Sequence, residues 1–224
     1  FNVFKIDWEG LQVASATTYG VTGITVNAGA AESKGFEGSF QFRPIPELSI
    51  QGTYSYTDAE LTEDVDSNGD GVVDSLDGLI PVNDPPGVYP SSPIKLIARD
   101  GDRLPGSPRN SGTLGATYIM PMGEGDIRAN WTAVYRGNVV TRLGWDRAYG
   151  DKLPSFVTHR ATIGYETDVF SVNLFADNIF DNYAVVSVAN DRSRIGLNDG
   201  VQLRYYRNVV LNPRTVGVEG RFRF

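Results

Sequence analysis

The stretch "TVGVEGRFRF", Thr215–Phe224, sets valine and phenylalanine against charged or small residues at every second position. Successive side chains of a β-strand point to opposite faces, so one face carries Val216, Val218, Phe222 and Phe224, with Gly220 between them. The other face carries Thr215, Gly217, Glu219, Arg221 and Arg223. A strand with hydrocarbon on one side and water on the other reads this way. So does the last strand of a soluble sheet, although such a strand is normally capped or covered. The rest of the chain has to decide between them.

The same alternation recurs upstream. In "LSIQGTYSYT" (48–57), Leu48, Ile50, Gly52, Tyr54 and Tyr56 oppose Ser49, Gln51, Thr53, Ser55 and Thr57. "FEGSFQF" (36–42), "DIRANWTAVYRG" (126–137) and "FSVNLFAD" (170–177) repeat it, and no stretch shows helical periodicity of similar strength. Eight strands are predicted, near 1–14, 22–43, 47–61, 107–121, 125–141, 154–167, 169–182 and 211–224. Their lengths suit a tilted crossing of a bilayer. Short turns fall at "RPIPE" (43–47), "MPMGEGD" (120–126) and "ETDV" (166–169). Long polar links fall near 15–21, 62–106, 142–153 and 183–210. Strict alternation of short and long connections is the habit of outer-membrane barrels, with tight turns inside and long loops outside. The expected fold is therefore all-β, a transmembrane antiparallel β-barrel segment.

Composition narrows the function. In 224 residues, 20 Lys+Arg against 27 Asp+Glu give a net charge of −7, which disfavours nucleic acid as a partner. The absence of cysteine excludes disulfides, thiolate metal sites and a cysteine nucleophile. His159 is the single histidine and lacks a supporting catalytic motif, so no enzymatic role is expected. The chain opens at Phe1 without a signal-like segment, and a processed product or a fragment is expected.

Two stretches carry candidate binding residues. "DSNGDGVVDSLD" (66–77) has the spacing of a calcium loop: Asp66, Asn68 and Asp70 as side-chain ligands, then Gly71 at the sharp turn. Val72 offers a carbonyl, Asp74 acts through water and Asp77 closes the loop where a longer Glu is usual. A structural calcium ion in an extracellular loop over 62–106 is expected. "NDRSRIGLNDGVQLRYYRN" (190–208) clusters Arg192, Arg194, Arg204, Tyr205, Tyr206 and Arg207. These could grip an anionic ligand or stack on rings; they could equally meet lipopolysaccharide phosphates or pair with Asp191 and Asp199. Arg128, Arg136 and Arg160 fall on the water-facing side of their strands, where they are expected to pair with other wall or plug residues. Trp8, Trp131 and Trp145 suit interfacial girdles.

Four stretches together resemble the C-terminal part of a TonB-dependent outer-membrane receptor: "VNAGAAESKGFEGSFQFRP" (26–44), "LPGSPRNSGTLGATY" (104–118), "NLFADNIFDNYA" (173–184) and "NPRTVGVEGRFRF" (212–224). The resemblance implies a barrel of about 22 strands, of which this chain would supply eight over residues 1–224, filled by a plug that has no counterpart here. It also implies location in the bacterial outer membrane, among lipid and lipopolysaccharide. Energy would come from the TonB complex through the plug. The cargo would be a scarce nutrient such as a ferric siderophore, cobalamin, an oligosaccharide or a peptide. The terminal alternation, Val216 to Phe224, resembles the signal read by the outer-membrane insertion machinery. A self-contained eight-stranded anchor or passive pore, and a soluble calcium-binding β adhesion module, remain the alternatives.

Overall fold

The computed structural model describes residues 1–16, 23–27, 29–64, 79–80, 94–95, 99–141, 143, 145, 151–198 and 201–223. Of these, residues 13–16, 23–27, 79–80, 94–95, 189–198 and 201–206 are described by backbone alone. Strands are numbered in chain order. Eight make one antiparallel sheet: β1 (Asn2–Glu9), β4 (Ala30–Ile45), β5 (Leu48–Leu61), β8 (Asn110–Met122), β9 (Gly125–Arg136), β12 (Phe156–Glu166), β13 (Phe170–Asp177) and β16 (Thr215–Phe222), in that spatial order. The remaining strands pair locally in the links: β2 (Gln12–Ala16) with β3 (Gly23–Asn27), and β6 (Leu79–Ile80) with β7 (Ile94–Lys95). Likewise β10 (Val139–Val140) pairs with β11 (Lys152–Leu153), and β14 (Val185–Asn198) with β15 (Val201–Val210).

Each of the eight expected strands has its counterpart in the main sheet, with shifted ends. The stretch near 22–43 is two strands, parted at Gly29, whose φ of 57° lies in the left-handed region. Pro105 and Pro108 lack the amide hydrogen a ladder needs, and β8 starts only at Asn110. Asn178 and Asp181, at φ 50° and 54°, turn the chain after β13. The link at 183–210 is not simply loop: it is the long hairpin β14–β15.

Register shows why the alternation matters. On one face a row runs Phe42, Ile50, Ala116, Trp131, Ala161, Ala176, Val216 across seven strands. One residue along, the other face reads Gln41, Gln51, Gly115, Thr132, Arg160, Asp177, Thr215. The apolar face is bare: Phe40, Ile163, Leu174, Val216, Val218 and Phe222 are each more than half exposed. Such an uncovered apolar surface is stable only against lipid or a partner.

The buried core lies elsewhere, beyond the sheet's apolar band at the end with the long links. Ala31 and Leu61 are fully covered, with Leu11, Leu104 and Leu143 packed on them. Val139, Val140 and Leu153, from the β10–β11 hairpin, are buried as well. Backbone bonds stitch this cap together: Leu61 N to Asp102 O and Leu104 N to Ala59 O, both 2.9 Å. In lipid the strands need no core of their own; where they emerge into water, they do.

Candidate functional site: the polar face and its outer rim

On the polar face, several charges are paired. Arg160 meets Asp177 at 3.2 Å, its direct partner across β12 and β13. Near the short turns, Glu166 accepts from Arg128 at 3.2 Å and from Arg223 at 2.8 Å, so one carboxylate ties β9, β12 and the end of β16. Arg221 pairs with Glu219 at 3.3 Å. Between these pairs runs an uncharged track. Thr117 donates to the Asn130 amide oxygen at 2.9 Å, the Asn130 amide donates to Thr162 at 3.2 Å, and Thr53 meets Thr113 at 2.7 Å. The pairs are half-exposed, so each contributes little stability, roughly 0–1 kcal/mol; their effect is to line a watery space with fixed dipoles.

Arg128 and Arg160 thus pair with wall carboxylates as expected. Arg136 departs from that expectation. Its Nη1 donates to the Val186 carbonyl at 3.0 Å and its guanidinium lies over the Phe156 ring at 4.8 Å. It therefore ties the base of the β14–β15 hairpin to the wall through a carbonyl and a cation–π contact.

At the outer rim, two residues that the sequence reading left without a role organise the links. Arg103 fastens the end of the longest link to the segment after β9. It donates to the Asn138 side-chain oxygen at 2.7 Å and to the carbonyls of Ser107 and Asn138 at 2.9 and 3.0 Å. Burial among these neutral oxygens, and then the nearby Arg109, pushes its guanidinium below the usual arginine range. Asn178 is the second. Its amide donates to the carbonyls of Asn182 and Asn212 at 3.0 and 2.9 Å, while its oxygen accepts from Asn182 N at 3.0 Å. Asp181 adds a bond from Arg214 N at 2.8 Å. This clasp closes the top of the β13–β16 pair, below the hairpin. The signal for it was present in the "DNIFDN" spacing of "NLFADNIFDNYA", but only the fold shows which carbonyls the amides reach.

The other expected site residues fall as follows. Asp66, Asn68, Asp70, Val72, Asp74 and Asp77 lie outside the described residues, as does Phe224. Arg192, Arg194, Arg204, Tyr205 and Tyr206 lie on β14 and β15, where the backbone register sets Arg192 opposite Arg204, Asp191 opposite Tyr205 and Asn190 opposite Tyr206. Arg207 is exposed on β15 opposite Ala189. Val216, Val218 and Phe222 stand on the bare apolar face of β16. Trp131 stacks on His159 at 5.6 Å, and Phe180 meets that imidazole edge-on at 4.8 Å, an aromatic group on the apolar face near its outer edge. Trp145 sits instead in a link, under Lys152 at 5.7 Å.

An antiparallel sheet that is apolar outside, charged inside, and joined by short turns at one end and long links at the other is the wall of an outer-membrane barrel. Comparison with known proteins supplies the family. The profile described as "TonB dependent receptor-like, beta-barrel" matches residues 1–179, and the chain belongs to that family. Its members are proteins of the bacterial outer membrane, transporters and not enzymes. Among solved structures, the ferric yersiniabactin uptake receptor FyuA of Yersinia pestis aligns over 99% of this chain and 27% of its own, at 17% identity and TM-score 0.64. The siderophore receptor PiuA of Acinetobacter baumannii aligns over 97% and 24%, at 18% identity and TM-score 0.60. The ferric-catecholate import receptor Fiu of E. coli aligns over the same shares, at 20% identity and TM-score 0.57. At these identities the likeness is one of fold, and the chain spans about a quarter of each receptor's length. No curated protein sequence matches it significantly.

Proposed function

We propose that this chain forms part of the barrel wall of an active outer-membrane transporter that takes up a scarce nutrient, a ferric siderophore foremost. One observation carries the reading: an inner face of ion pairs and hydroxyls, backed by a bare apolar outer face, aligns along nearly its whole length with siderophore-receptor barrels. The sheet runs from β1 to β16 without the two edges pairing. Unpaired strand edges in hydrocarbon are untenable, so further strands complete the barrel, a plug fills it, and TonB drives release through the plug. This favours the receptor over a self-contained eight-stranded pore.

Ferric chelates are commonly anionic, and the long hairpin carries arginines to meet them. The backbone register sets Arg192 opposite Arg204, so one rung of the hairpin carries two arginines, a residue type suited to gripping an anion. In cells carrying the receptor, labelled ferric-chelate uptake is expected to stop when TonB is deleted. Arg192→Gln/Arg204→Gln should weaken surface binding of the chelate at least tenfold, since bonds to charged groups contribute about 1.5–3 kcal/mol. Uptake that persists unchanged without TonB would refute the transport mechanism.

The calcium loop is part of the same proposal. Asp66, Asn68, Asp70, Val72, Asp74 and Asp77 would hold one structural calcium ion and stiffen the link over 62–106. Titration calorimetry should show calcium-dependent heat that Asp70→Ala abolishes; absence of that heat in the unmodified receptor would remove the ion from the account.

A further inference from the structure

We infer that the cargo passes along one uncharged strip of the inner face, formed by β5 and β8, moving from hydroxyl to hydroxyl. The inference deepens the transport proposal and rests on it; the experiment below separates the two.

The strip is defined by what it lacks. From Ser49 to Thr57 every residue on the polar face of β5 is a hydroxyl or an amide. Opposite it, from Ser111 to Thr117, β8 offers hydroxyls and Gly115 alone. No charged side chain interrupts either run. Ser49 to Thr57 covers roughly 27 Å of strand, which is most of a tilted crossing. The ion pairs stand elsewhere on the same face. Arg160 and Asp177 bridge β12 and β13, Arg221 and Glu219 lie on β16, and the Glu166 group sits by the short turns.

Hydrogen bonds join the strip to itself and to its neighbours. Thr53 and Thr113 meet at 2.7 Å, the Ser55 and Thr57 hydroxyls at 3.4 Å, and the Gln41 amide donates to Ser49 at 3.4 Å. A hydroxyl has one donor and two acceptor sites, so a single neighbour leaves capacity unused. Gln51, Thr53 and Thr113 are exposed and present that capacity inward. Passage requires many sites that each hold weakly enough to let go. Neutral hydrogen bonds meet that need, whereas bonds to charged groups are roughly twice as strong and detain an anion. A solute with several oxygen donors and acceptors can therefore exchange one rung for the next along β5 and β8. Beside Arg160 or Arg221 it would compete with a carboxylate and then be held.

The test uses the complete receptor in cells, with a radiolabelled ferric catecholate as probe. Thr113→Trp should lower its uptake at least tenfold while surface binding stays within twofold. Gln51→Trp repeats the block from the neighbouring strand. Thr215→Trp is the control: Thr215 is exposed on the same face, in the register row through Gly115 and four strands along the sheet, and uptake should stay within twofold. Thr53→Val/Thr113→Val keeps shape and removes both hydroxyls. It should cut the maximal uptake rate at least threefold with the half-saturating concentration unchanged, and Thr53→Ser/Thr113→Ser should restore the rate. Equal losses from tryptophan on the strip and at Thr215 would overturn the route. A valine pair that transports as fast as the unaltered receptor would overturn the hydroxyl ladder. Uptake by the unaltered receptor judges the transport proposal itself, whereas the strip is judged on the ratios between variants.

Discussion

Leu174→Arg is expected to destabilise the receptor in a bilayer by about 2–4 kcal/mol, the range for a guanidinium on the lipid face near mid-depth. Leu174 is 53% exposed on the apolar side and stands in register between Ile163 and Val218, with no polar group beside it to share the charge. Thr162→Arg is the matched control. Thr162 lies one residue over on the polar face, where it accepts from the Asn130 amide, so its replacement should cost about 1 kcal/mol. Urea unfolding of the receptor folded into vesicles, followed by gel mobility, reads both. Equal losses would mean that the two faces do not meet different solvents.

Asn178→Ala is the second large effect, about 4–5 kcal/mol. It removes three hydrogen bonds at a site with only 9% exposure, each contributing about 1 kcal/mol. It also places a Cβ without a compensating amide at φ 50°, a conformation that disfavours alanine by about 1–2 kcal/mol. Asn178→Gly loses the same bonds but tolerates the backbone, so it should be milder by about 1–2 kcal/mol. The same unfolding assay decides; alanine and glycine variants of equal stability would show that the backbone conformation carries none of the effect.

The wall was legible in the sequence because its solvent boundary is two-sided. A residue such as Val218 facing lipid and Glu219 facing water leave a period of two that no tertiary detail can erase, and the short turns at Glu47, Gly123 and Asp168 fix where each strand reverses. Strand ends were less legible, since they depend on single backbone requirements such as the left-handed φ at Gly29 and Asn178. The β14–β15 hairpin was hidden for a different reason: in "NDRSRIGLNDGVQLRYYRN" the alternation is confined to a short run, Val201 to Tyr205, set among Asp, Asn and Arg residues that read as a polar link. Among site residues, the pairing of Arg160 with Asp177 could not be read from chain separation; it needs the β12–β13 register. Arg103 gave no signal at all, because its partners are carbonyls and an amide, which every sequence contains in plenty.

In the main sheet, each strand bonds only to the main-sheet strand before it and the one after it in the chain. No link therefore has to bridge distant parts of the wall, and a link can lengthen or be rewritten without shifting a rung beneath it. Descendants of such a chain can rewrite what stands beyond the barrel's rim while inheriting the membrane fixture intact.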